Sequence, residues 1–181
     1  DKSFEKHKNS IENSLPLLGK FVVIIQSENL NSDLELKLRQ IFENYHRELE
    51  DVRTMYDEQK KSPPFPRNMP PVAGNIAWSR LLLKRIEDPM KRFETNRELL
   101  KSANANVIVR LYNKVARMLV AFEYLWYQAW VQAVDQAKAG LQATLVVRDP
   151  KDGRLHVNFD RDILTLIHEA KWLNRMGIEV P

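Results

Sequence analysis

Apolar residues recur at helical spacing over most of the chain, and the period changes only near the end. From Asp33 to about Lys60, Leu34, Leu38, Ile41, Tyr45, Leu49, Val52 and Tyr56 follow one another at three or four residues, while Glu35, Arg39, Glu43, Arg47, Glu50 and Asp51 fill the other side. That spacing predicts an amphipathic helix capped by Ser32 or Asp33. Ile76, Leu83, Ile86, Met90 and Phe93 predict a second helix, in which Pro89 either introduces a kink or opens a new helix behind Asp88. A third helix is expected from about Ser102 to Lys138, closed near Gly140. Its stripe is Ile108, Leu111, Val115, Leu119, Phe122, Trp126, Ala129 and Ala133, and at 1.5 Å per residue it would run ~55 Å.

Beyond it the pattern alternates. Leu155, Val157 and Phe159 fall on one side of a short run, with Arg154, His156 and Asn158 on the other, and Asp149-Pro150-Lys151-Asp152-Gly153 precedes them. This reads as a β-hairpin over residues 144–159 with a type I turn and a glycine at positive φ. A lone hairpin is marginal in water, so its apolar side is expected to lie on the helices. A closing helix, residues 160–176, carries Ile163, Leu164, Ile167, Ala170 and Leu173 behind Asp160 and stops at Gly177. Residues 1–30 stay ambiguous, because Leu15, Leu17, Leu18 and the run Phe21 to Ile25 suit a strand or a helical turn equally. The expected fold is mainly α: an elongated helical bundle with one small β-hairpin near the C-terminus. Its divisions are an N-terminal helical segment (1–61), a connector (62–71) holding Pro63, Pro64, Pro66, Pro70 and Pro71, and a bundle over 72–181.

Composition narrows the chemistry. At 181 residues, 44% hydrophobic and 29% charged, the chain can bury a core and falls outside the disordered class. Cysteine is absent, which excludes disulfide scaffolds, thiolate metal sites and cysteine nucleophiles. No apolar run approaches the length of a membrane helix. With neither an initiator Met nor a signal-peptide pattern, the chain is expected to be part of something longer. The net charge of +4 hides an asymmetry: residues 61–120 carry 12 basic and 4 acidic side chains, a balance of +8. Such a field attracts acidic partners of any kind.

Candidate sites are few. His7, His46, His156 and His168 have no second His at metal-ligand spacing, and no Gly-rich phosphate loop or nucleophile elbow occurs. No catalytic, metal or cofactor-binding residue is therefore expected. Arg80, Lys84 and Lys91 share one side of a helical wheel, within ~40° of each other, and Arg110, Lys114 and Arg117 add to the basic middle third. These six are the candidate partner-binding residues, with a solvated face as the bland alternative. The aromatic group Phe122, Tyr124, Trp126, Tyr127 and Trp130 reads first as core and second as a stacking platform.

Two stretches resemble a known family. Asn68 to Phe93 (NMPPVAGNIAWSRLLLKRIEDPMKRF) and Leu145 to Pro181 (LVVRDPKDGRLHVNFDRDILTLIHEAKWLNRMGIEVP) are similar to the N-terminal tail region of dynein heavy chains, the axonemal type and the outer-arm members above all. The first carries the pattern on Pro70, Pro71, Ala73, Gly74, Trp78, Arg80, Leu82, Arg85, Ile86, Pro89, Met90 and Phe93; the second carries a Val-Arg-Asp turn, a Val-Asn-Phe-Asp strand end and a Glu-Ala-Lys-Trp-Leu helix. The resemblance implies a non-catalytic tail segment whose ATP sites and microtubule-binding stalk lie far C-terminal. Its implied partners are dynein intermediate and light chains, a neighbouring heavy chain and, through docking proteins, the doublet microtubule. No nucleic acid and no membrane are among them. The implied place is the cytoplasm and the axoneme of a cilium or flagellum. The alternative, resting on the +8 region alone, is a stand-alone basic helical module for nucleic acid or acidic surfaces.

Overall fold

The computed structural model describes residues 28–95, 103–142, 144–158 and 161–180. Among them are α1 (Glu28–Gln59), α2 (Pro71–Thr95), α3 (Ala103–Gln142), β1 (Val146–Arg148), β2 (Leu155–Val157) and α4 (Arg161–Arg175). Of the strand-or-helix alternative for residues 1–30, residues 28–30 are helical and 1–27 lie outside the described residues, as do Phe159 and the expected cap Asp160. The mainly helical fold with a C-terminal hairpin is what the periodicity indicates.

Two element ends depart from expectation, those of α1 and α3, while at Pro89 the alternative of a new helix behind Asp88 is set aside. Helix α1 starts at Glu28, ahead of Ser32 and Asp33. Pro89 sits inside a continuous α2. Its neighbours Ile86, Met90 and Phe93 are buried, and that burial offsets the lost backbone bond. Helix α3 runs through Gly140 to Gln142; a helical glycine costs only about 1 kcal/mol relative to Ala, and Ala139, Leu141 and Gln142 favour continuation.

The described residues gather into two compact units. One takes in the described part of Asp1–Ser62 together with Leu81–Val120; the other takes in Pro63–Arg80 and the described part of Ala121–Pro181. In the first, Ile41, Tyr45, Leu49 and Val52 of α1, Ile86 and Phe93 of α2, and Val115 and Leu119 of α3 are fully buried. Phe42 stacks on Phe93 at 5.3 Å and Tyr45 tilts against it at 5.4 Å. The Tyr45 hydroxyl donates to the Ile86 carbonyl at 2.6 Å, and burial pushes its ionisation well above the ordinary tyrosine range.

In the second unit, Ala73, Ile76, Trp130 and Leu173 form the centre, with Met69, Trp126, Tyr127 and Leu166 packed around it. Phe122 meets Trp78 edge-on at 5.6 Å and Trp126 at 6.2 Å. The aromatic group thus divides: Phe122 and Trp130 are core, Trp126 and Tyr127 are half-buried, and Tyr124 is exposed.

The hairpin pairs Val146 with Val157, Val147 with His156 and Arg148 with Leu155. Gly153 has φ 72° and closes the turn, with its N–H donating to the Asp149 carbonyl at 2.9 Å. The expectation that its apolar side lies on the helices is not met. Leu155 and Val157 are 65% and 68% exposed, and every strand residue is solvent-facing. Closing hydrogen bonds within the turn, not burial, define it locally. Leu164 and Ile167 of α4 are likewise exposed, while Ile163 and Leu173 are buried.

Candidate functional site

The most constructed polar arrangement among the described residues holds the start of α2. Pro71 is the first helical residue, where a missing N–H costs nothing, and Pro70 supplies the first helical acceptor, its carbonyl taking the Gly74 N–H at 2.8 Å. The first turn holds no acidic residue, and a proline at the cap position has no side-chain acceptor to offer. The N–H groups of Val72 and Ala73 therefore need a partner from elsewhere in the chain. Glu169 of α4 provides it, accepting Val72 N–H on Oε1 and Ala73 N–H on Oε2, both at 2.8 Å. Its side chain is 2% exposed. A carboxylate at a helix N-terminus is also favoured by the helix dipole, so the buried charge is met by two donors and an aligned field.

Two further contacts fix the same neighbourhood. The Phe65 ring lies so close over Gly74 that a Cβ there would come within 2.5 Å of it, which explains a glycine in a helix interior. Asn75 turns its Nδ2 onto the Pro71 carbonyl at 2.7 Å. At the other end of α4, Gly177 adopts φ 72°, and Ile178 N–H reaches the Leu173 carbonyl at 3.0 Å while Gly177 N–H reaches Asn174 at 3.0 Å. These two bonds form a Schellman cap. Arg80 completes it, donating from Nη1 to the Met176 carbonyl at 2.8 Å and from Nε and Nη2 to Glu123 Oε1 at 3.0 and 2.7 Å.

The six candidate partner-binding residues occupy unlike settings. Arg80 is bound into its unit by these three hydrogen bonds. Lys91 is exposed and paired with Glu87 at 3.0 Å, whose carboxylate holds the ammonium above its ordinary range. Lys84, Arg110, Lys114 and Arg117 are exposed and form no ion pair with a described residue. Arg85, not among the six, is paired with Glu48. A place on the basic side of the helical wheel does not keep Arg80 out of the packing of its own unit.

Sequence reasoning missed Glu169 as a contact, although the signal was there. It lies inside the apolar stripe of α4, between Leu166 and Leu173, where an acid needs a partner. The uncapped α2 start is the complementary signal.

The histidines have modest roles. His168 Nε2 accepts the Trp172 indole N–H at 3.2 Å. Asp149, Asp152 and His156 bring ligand-type atoms within 4.8 Å of one another at the hairpin. There Asp149 Oδ1 accepts Lys151 N–H at 2.7 Å and Asp152 Oδ1 accepts Arg154 N–H at 2.9 Å, so both carboxylates shape the turn. No helix of the described residues is long and apolar enough to cross a membrane.

Comparison with known proteins bears directly on the two stretches that Glu169 joins. The dynein gamma chain of the flagellar outer arm from Chlamydomonas reinhardtii is 48% identical over 176 residues, 97% of this chain and 4% of that protein. Dynein axonemal heavy chain 8 from Homo sapiens is 38% identical over 172 residues, 95% of this chain and 4% of the relative. Dynein axonemal heavy chain 5 from Mus musculus is 39% identical over 150 residues, 83% and 3% respectively. This chain thus spans only a few per cent of the length of these relatives. The model of the family described as dynein heavy chain, N-terminal region 1, matches residues 1–181. The chain belongs to the dynein heavy chain family, as part of its N-terminal region.

Proposed function

We propose that this chain is a segment of the tail of an axonemal dynein heavy chain, a microtubule motor of cilia or flagella. In this role it is non-catalytic: it scaffolds intermediate and light chains, contacts a neighbouring heavy chain and helps anchor the motor to its doublet through docking proteins. The observation that carries the reading is the family match along all 181 residues together with relatives named for the axoneme and the flagellar outer arm. The residues fit it. Long amphipathic helices tied to one another within each unit by hydrogen bonds suit a support, and the sequence offers no phosphate-cradling loop that an ATP site would need. ATP turnover, on this reading, belongs to parts of the heavy chain outside these residues.

The test is excision. A full heavy chain lacking residues 28–180 is expected to keep basal ATP hydrolysis per motor while losing associated subunits, measured as subunit stoichiometry in the purified complex. Loss of hydrolysis with all subunits retained would overturn the reading.

A further inference from the structure

Resting on that tail reading, we infer that the exposed side of α3 around Lys114 receives an acidic, amphipathic polypeptide helix. Residues 103–120 hold Arg110, Lys114 and Arg117 and not one acidic side chain. With Val107 they fall at i, i+3, i+7 and i+10, inside an arc of about 80°. All four are exposed, and the three cations have no ion-pair partner among the described residues. Several cations elsewhere in the chain are paired locally. Arg39, Arg53, Lys60, Lys91 and Lys138 each meet an acid three or four residues away in sequence, at 3.7, 3.4, 2.9, 3.0 and 2.5 Å. The α3 side is positive because its own helix supplies nothing to offset it.

A recess of mixed polar and apolar lining adjoins this stripe. A groove of about 300 Å³ is lined by Arg39, Phe42, Glu43 and His46 of α1 and by Asn104, Val107 and Ile108 of α3. Arg39 and Glu43 pair with each other at 3.7 Å, His46 and Asn104 are polar, and Phe42, Val107 and Ile108 supply the apolar part of its lining. Val107 is 57% exposed and belongs to both features. Cations about 6 and 4.5 Å apart along the helix axis match the same-face spacing of side chains on a second helix. An incoming helix could place one apolar side chain in the groove and acids three and four residues apart beside the cations. Charge of this kind steers docking and sets register.

The chemistry favours polypeptide over the other anionic partners. Single-stranded nucleic acid needs stacking aromatics, and Tyr112 faces away from the stripe on the helical wheel. A lipid surface needs a broad apolar row beside the cations, whereas Val107 and Val120 are the exposed large apolar residues of this part of α3.

The experiment uses the assembled motor with its full heavy chain. A photoreactive benzoylphenylalanine replaces the exposed Asn113, the purified complex is irradiated and the attached peptide is sequenced. The expected product is a peptide with acidic residues three and four apart and an apolar residue one turn away. Its yield should fall about tenfold in R110Q/K114Q/R117Q and about threefold in K114Q alone, since neutralising exposed charges acts on encounter and not on the core. Yield unchanged by neutralisation, a peptide without clustered acids, attachment to lipid or nucleic acid, or no attachment would each overturn the proposal. The excision experiment reads subunit stoichiometry instead, so the tail reading can stand while this docking site falls.

Discussion

The stretch from Leu145 to Pro181 contains two regions that resemble the same family yet are held in opposite ways. The hairpin is built from bonds between near neighbours in sequence, such as Asp149 N–H to the Arg154 carbonyl at 2.8 Å, and its side chains face solvent. Glu169 is instead buried and bonds to backbone nearly a hundred residues away, at Val72 and Ala73. Local turn chemistry can define a shape without burying it, whereas a buried carboxylate ties together whatever it touches. Substitutions should therefore spread through the fold at Glu169 and stay local at the hairpin.

The largest effect is expected at Glu169 itself. Glu169→Ala leaves the part-buried Val72 N–H and the buried Ala73 N–H without their acceptor and should cost about 2–4 kcal/mol, read by chemical denaturation of the 181-residue chain. Glu169→Gln keeps one good acceptor oxygen and should cost less. Equal stability of the Ala variant and wild type would erase the contrast with the hairpin. Gly74→Ala comes next, at about 1–3 kcal/mol, because the Phe65 ring must move from a space that now admits no Cβ. A melting curve that does not shift would show the ring to be easily displaced.

Tyr45 extends the comparison to the other unit, where a buried hydroxyl again ends on a helix carbonyl. Tyr45→Phe should cost about 1 kcal/mol. Its ionisation is raised on folding, chiefly by burial and then by Tyr112 and Glu48. The unfolded phenol releases its proton near pH 10 while the folded one keeps it, so the folded state binds more protons there. This contribution is complete below about pH 10 and declines as pH rises above it. A denaturation series from pH 8 to 11 should show a steeper loss for wild type than for Tyr45→Phe.

The smallest global effect is expected at the hairpin. Gly153→Val forces a β-branched side chain to positive φ and should weaken the turn by about 1–3 kcal/mol. Because the strands cover no core, the effect should appear as faster amide exchange at Asp149 and Gly153, with the melting of the whole chain little changed. A large drop in global stability would mean that the hairpin is packed after all.

Much of this fold is legible in the sequence because helix period is a strong signal where one side is buried. Ile41, Tyr45, Leu49 and Val52, or Ile86, Met90 and Phe93, are core residues simply by spacing. Gly153 and Gly177 are legible as well, since each φ of 72° answers a demand of turn or cap that glycine meets most readily. Depth along a stripe is less so: Phe122, Trp126 and Trp130 share a side of α3, yet Trp126 is only half-buried. Long-range pairs are hardest, because nothing local to Arg80 names Met176 or Glu123. Of the candidate residues, spacing gave the side of the helix that each occupies; whether a cation there has a partner depends on chain brought close by folding.

The proposed tail role is tested most directly by linking the clamp to assembly. Full heavy chains carrying Glu169→Ala or the control Gly153→Val would be purified as motors, and subunit stoichiometry and ATP turnover measured on each. The expected result is that Glu169→Ala motors lose tail subunits while turnover per heavy chain persists, and that Gly153→Val motors keep both. Glu169→Ala motors with a full set of subunits but diminished turnover would contradict a scaffold held together at the start of α2.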